Sequence, residues 1–129
     1  MKDKDESAVA KNILIVDDSA TIRKLVGLTL KFKQYHVATA NDGKEAWHKL
    51  QKENFDMVII DILMPTMDGF QLLSKIKNDE KLKNVPSVLL TTEGDEVNKQ
   101  KGMELGADSY LVKPFQPQQL LAKVEEYVK

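Results

Sequence analysis

Asp17 and Asp18 follow the short apolar run Ile13–Val16, Asp61 follows Met57–Ile60, Thr91 follows Val88–Leu90, and Lys113 follows Tyr110–Val112. Three carboxylates, a hydroxyl and an ammonium form a set with chemistry only if they meet. Two unit charges about 4 Å apart interact by roughly 4 kcal/mol at an effective dielectric near 20, so gathered carboxylates demand counter-charge. Lys113 supplies one positive charge, and a divalent cation would supply two. An all-oxygen donor set selects a hard cation, and few protein ligands completed by water favour Mg2+ over Ca2+. The Ca2+-loop pattern D-x-[DN]-x-[DN]-G is absent from the sequence. Beside a cation, a lysine and a hydroxyl, a carboxylate can be a covalent nucleophile toward phosphorus and form an aspartyl phosphate. The cation, Lys113 and Thr91 would then meet the charge on the phosphoryl oxygens. Taken singly, each residue has a plainer role. An acidic pair after a strand caps a helix, an Asp ending an apolar run turns the chain, a threonine forms strand, and a lysine is a solvated edge charge. Joint placement at one edge is what overturns those roles. His36 and His48 have no such partners and read as surface residues, while Asp56 precedes its apolar run and belongs at the opposite edge.

Residues spread from position 17 to 113 can meet only if the fold returns them to one place. The runs at 13–16, 57–60 and 88–90 are too short for helices and continuous enough for buried strands; His36–Ala40 and Tyr110–Val112 read as two more. Segments of helical period lie between them. Ser19 can cap a helix carrying Ile22, Leu25, Val26 and Leu30 inward, and Asp42 one carrying Ala46, Trp47 and Leu50. After a loop at 63–69, Asp68 caps a helix with Phe70, Leu72, Leu73 and Ile76 on its apolar face. The fourth helix, from about Asp95 to Leu105, is poor: Val97, Met103 and Leu105 are its only large apolar residues, and Gly102 interrupts it. Leu120, Leu121, Val124 and Val128 mark a terminal amphipathic helix. This alternation predicts an α/β fold, a five-stranded parallel sheet with helices on both faces. Open sheets of that kind bind ligands at the carboxyl ends of their strands, where all five polar residues fall.

A chain of 129 residues suits one domain, read as residues 12–129 behind a flexible charged tail at 1–11. A formal net charge of −1 gives no field to recruit nucleic acid or an anionic membrane. The absence of cysteine excludes disulfides, thiol catalysis and cysteine-ligated zinc. No apolar run approaches the roughly 18 residues of a membrane span, and the first residues lack an apolar signal core, so the expected location is cytoplasmic.

Four segments carry a family resemblance: Ile15-Val16-Asp17-Asp18-Ser19, the run Ile59-Ile60-Asp61 through Met64-Pro65-Thr66-Met67-Asp68-Gly69, Leu89-Leu90-Thr91-Thr92, and the run Gly106-Ala107-Asp108 through Tyr110, Lys113-Pro114-Phe115. Over roughly residues 12 to 128 the chain resembles the response-regulator receiver family of two-component signalling. The resemblance implies a flavodoxin-like sheet of order 2-1-3-4-5. It implies that Asp61 accepts a phosphoryl group from a histidine kinase or histidine phosphotransfer protein. Asp18, Asp61 and the Leu63 carbonyl then resemble the direct Mg2+ ligands, with Asp17 acting through water. Thr91 and Tyr110 resemble the switch pair, and Lys113-Pro114 matches a cis peptide. Such a protein is not an enzyme but a phosphoacceptor that promotes its own phosphoryl transfer and dephosphorylation, and then alters a surface for a downstream protein target. Ending after the fifth helix suggests a stand-alone regulator of the chemotaxis or phosphorelay kind.

Leu63 and Glu93 depart from the family pattern at positions that tune phosphoryl lifetime, and Trp47 replaces a smaller aliphatic residue in what reads as core. Two enzyme readings compete and fail. A flavodoxin-like cofactor site wants a glycine loop after the first strand, where Asp17-Asp18-Ser19 would repel a phosphate. A haloacid-dehalogenase-like phosphatase wants a second acid two residues after a first-strand nucleophile, and residue 19 is serine.

Overall fold

In the computed structural model, residues 10–64 and 67–128 are described; most of the expected tail (1–9), Pro65 and Thr66 of the loop, and Lys129 lie outside the described residues. The strands are β1 (Asn12–Val16), β2 (His36–Ala40), β3 (Met57–Asp61), β4 (Ser87–Thr92) and β5 (Ser109–Lys113). The helices are α1 (Ala20–Phe32), α2 (Gly43–Lys52), α3 (Gly69–Lys77), α4 (Glu96–Glu104) and α5 (Pro117–Tyr127). All strands pair in parallel in the order β2-β1-β3-β4-β5. The chain thus has the expected flavodoxin-like architecture.

Helices α1 to α4 each begin where a short polar side chain takes up a free backbone amide. Ser19 Oγ accepts from Ile22 N at 3.2 Å, Asp42 Oδ1 from Glu45 N at 2.7 Å, and Asp95 Oδ1 from Asn98 N at 3.2 Å. At α3 the cap is reciprocal, since Asp68 Oδ1 accepts from Gln71 N and Gln71 Oε1 accepts from Asp68 N, both at 2.9 Å.

Because β1 and β3 are central, their side chains are buried on both faces, and alternate residues serve two cores. Leu14, Val16, Val58 and Ile60 face α2 and α3, joined by Leu89 of β4. Ile13, Ile15, Met57 and Ile59 face α1 and α5, joined by Val88 and Leu90.

Three details differ from the periodicity reading. Leu25 is 41% exposed on α1, where Val26 and Leu30 make the buried stripe. Trp47 is only partly buried, its ring covered by the Lys75 ammonium 5.1 Å from the centroid. In α4 the residue that reaches the interior is Gly102, while Val97 is 80% exposed. A Cβ at Gly102 would lie 2.0 Å from Leu89 Cδ1, so glycine is what lets α4 approach β4 closely.

Candidate functional site

Strand ends build the site. β1 runs out at Val16, but the backbone continues the ladder one step further, with Asp17 N donating to Ala40 O at 3.1 Å. That step leaves Asp17 fully buried and Asp18 exposed. The Ser19 amide donates to Asp17 Oδ1 at 2.9 Å, and Arg23, in the first turns of α1, donates from Nη1 to the Asp17 carbonyl at 2.8 Å. β3 ends in Asp61, which is 8% exposed. The chain then folds back tightly, Gly69 N donating to Ile62 O at 2.9 Å. A Cβ at Gly69 would stand 2.4 Å from the Asp61 carbonyl oxygen, so only glycine lets α3 start against the end of β3.

Carboxylate oxygens of Asp17, Asp18 and Asp61 all lie within 4.8 Å of one another. Lys113, from the end of β5, places its ammonium 3.0 Å from Asp17 Oδ2 and 3.3 Å from Asp61 Oδ1. Thr91, 3% exposed, stands on β4 one residue past Leu90, the register partner of Asp61. It pairs in register with Val112, beside Lys113. The Lys113-Pro114 peptide is cis. Asp56 lies at the other edge, its Oδ2 accepting from Asn12 N at 2.8 Å, and both histidines are exposed. Leu63 follows the strand with its side chain 63% exposed, and Tyr110 sits partly buried on β5.

Electrostatics mark this edge as under-compensated. Burial, reinforced by the Asp17 carboxylate, pushes Asp61 up to about 6 against the opposing pull of Lys113. Lys113 is raised as well: burial works against its charge, but its Asp17 and Asp61 partners outweigh that. Asp17 Oδ2 is fully buried, and the partner it has there is the Lys113 ammonium at 3.0 Å, which it shares with Asp61. Three carboxylates against one ammonium leave two negative charges, and the donors are all oxygen. The cluster is therefore suited to a divalent cation such as Mg2+.

Sequence reasoning missed Arg23 and the Ser19 amide as supports of Asp17. The signal available was an arginine in the first turns of a helix that starts directly after the acidic pair.

Comparison with known proteins agrees with this geometry. Residues 13–125 match the response regulator receiver domain family, and the chain belongs to it. It is similar to the chemotaxis protein CheY4 of Vibrio cholerae, with a TM-score of 0.88 and 41% identity over 93% of this chain and 100% of that one. It is also similar to a CheY-like receiver domain protein of Methanospirillum hungatei, with a TM-score of 0.84 and 32% identity over 92% and 93%. Over 121 residues it is 34% identical to the transcriptional regulatory protein SrrA of Staphylococcus aureus, covering 94% of this chain and 49% of SrrA. The chain spans about half the length of the curated relatives it matches. Receiver domains are phosphorylation-based signalling switches that take their phosphoryl group from histidine kinases or phosphotransfer proteins, and they serve as phosphoacceptors rather than turnover catalysts. Among the described residues no helix is long and apolar enough to cross a membrane.

Proposed function

We propose that Asp61 is the phosphoacceptor. One of its carboxylate oxygens attacks phosphorus in a phosphohistidine, the P–N bond breaks with its electron pair leaving on the imidazole, and the phosphoryl group is carried as an acyl phosphate. Asp18, Asp61 and the Leu63 carbonyl would hold Mg2+ directly, and Asp17 through water. Bound there, the cation supplies Lewis-acid stabilisation of the phosphoryl oxygens. Lys113 shares that charge and the Thr91 hydroxyl donates to one oxygen. The observation that carries this reading is a buried Asp61 held 3.3 Å from an ammonium inside a carboxylate cluster.

Thr91 and Tyr110 form the switch pair in this reading, with residues 12–129 as the receiver and 1–11 as its tail. The partner surface is made by α4, β5 and α5, and the partner is a protein. Support comes from Val97 and Met103, apolar side chains that α4 leaves exposed. The 41% identity to V. cholerae CheY4, a chemotaxis protein, is the observation that supports the chemotaxis kind.

Acetyl phosphate with Mg2+ tests the acceptor. Intact-mass measurement is expected to show one phosphoryl group added to the wild type and none to Asp61→Asn. Equal labelling of the two would sink the assignment.

A further inference from the structure

Lys99 of α4 meets the Tyr110 side chain in two ways. The Lys99 ammonium lies 4.3 Å from the centroid of the Tyr110 ring and also donates to its hydroxyl at 3.3 Å. Glu96, one turn earlier, pairs with the same ammonium at 3.1 Å, so Lys99 is held from both sides. Among the described residues this is the side-chain hydrogen bond that joins α4 to β5. Its setting makes it consequential, since Gly102 is the only buried residue of α4. The Tyr110 hydroxyl and the Glu96 carboxylate also raise the Lys99 ammonium above its ordinary value.

Two other lysines cover aromatic rings, Lys75 over Trp47 and Lys101 over Phe70, at 5.1 and 4.6 Å from the centroids. Neither of those rings carries a hydroxyl for the lysine to reach. At Tyr110 the same ammonium meets both face and hydroxyl, so a change of χ1 to another staggered well breaks both contacts at once.

We propose that Lys99 is a positioning residue for Tyr110: clamped by Glu96, it holds the ring in its resting place, and the ring turns only when that contact is given up. This rests on the reading of Tyr110 as a switch residue. Phosphorylation then works against a latch of known composition, and the strength of the latch sets how much resting protein already occupies the switched state.

Ring NMR of selectively labelled tyrosine is the test, since the chain has only three, Tyr35, Tyr110 and Tyr127, and Tyr110→Phe identifies the signal. Beryllofluoride with Mg2+ serves as the phosphoryl probe. In the wild type the probe is expected to move the Tyr110 signal. Lys99→Met, without the probe, is expected to move it along the same path and to tighten probe binding roughly two- to fivefold. Lys99→Arg keeps the charge and is expected to stay near the wild type, as is the control Lys75→Met. If the wild-type signal responds to the probe but Lys99→Met matches the wild type in both signal and affinity, the latch is overturned and the switch reading stands. If the wild-type Tyr110 signal ignores the probe, the switch reading falls and the latch falls with it.

Discussion

The two edges of the sheet treat their carboxylates in opposite ways. At the amino edge, Asp56 and Asp108 are exposed, yet each is bonded to backbone: Asp56 accepts from Asn12 N at 2.8 Å, and Asp108 from Ser87 N at 2.8 Å. Asp108 also pairs with Lys77 at 3.2 Å, and the same ammonium donates to the carbonyls of Lys83 and Val85. At the carboxyl edge, Asp17 and Asp61 are buried, crowded together and share one ammonium, that of Lys113. Water could satisfy the first pair at little cost, but burial makes the second pair expensive until a cation arrives. Carboxylates at one end of the strands thus fasten the fold, and at the other they are held in readiness for a ligand.

That contrast can be broken by exchanging the effects of mutation between the edges. Asp18→Ala is expected to weaken Mg2+ binding on the order of 100-fold, about 3 kcal/mol, whereas Asp56→Ala changes it less than about twofold. Titration calorimetry of both variants decides the matter, and similar losses would mean the edges do not differ in this way.

Metal-free stability sharpens the same comparison. With Asp61 raised to about 6 from an ordinary 3.8, the folded state holds its proton more tightly than the unfolded chain does. This contribution is fully present below the ordinary value and is lost as pH rises through the folded one. Asp61→Asn is therefore expected to be more stable than the wild type by on the order of 1–3 kcal/mol at pH 7.5, with the advantage vanishing near pH 4. Urea unfolding at the two pH values in chelator measures it. Adding Mg2+ should stabilise the wild type more than the variant, which loses one anionic ligand.

The smallest effect is expected at the fastening edge. Lys77→Met removes an ammonium whose side chain is 16% exposed and leaves two carbonyls and Asp108 without it. A loss of about 1–2 kcal/mol in urea unfolding is expected, with acetyl-phosphate labelling unchanged. Impaired labelling would mean the two edges are coupled.

Elements were legible in the sequence because buried parallel strands announce themselves as continuous apolar runs, and Ser19, Asp42 and Asp68 stand where helix caps must. The strand-end rule separates Asp56 from Asp61 with no coordinates at all. What escaped was whatever depends on distant parts meeting. The Lys77–Asp108 pair spans 31 positions and joins a helix end to a loop, with no periodicity to reveal it. Arg23 reads as one more helical charge until its guanidinium is seen on the Asp17 carbonyl. In α4 the pattern misleads: apolar Val97 lies outside, and Gly102, which seems an interruption, is the contact. A close approach through a missing side chain has no hydrophobic signature.

That glycine contact also bears on how such a molecule can diverge. With Gly102 alone of α4 buried, Glu96, Val97, Gln100, Lys101, Met103 and Glu104 are all exposed. Substitutions at exposed positions usually shift stability by no more than about 0.5 kcal/mol. Lineages can therefore rewrite the outer lettering of this helix while the fold underneath is left intact; Gly102 is the letter that cannot change without Leu89 giving way.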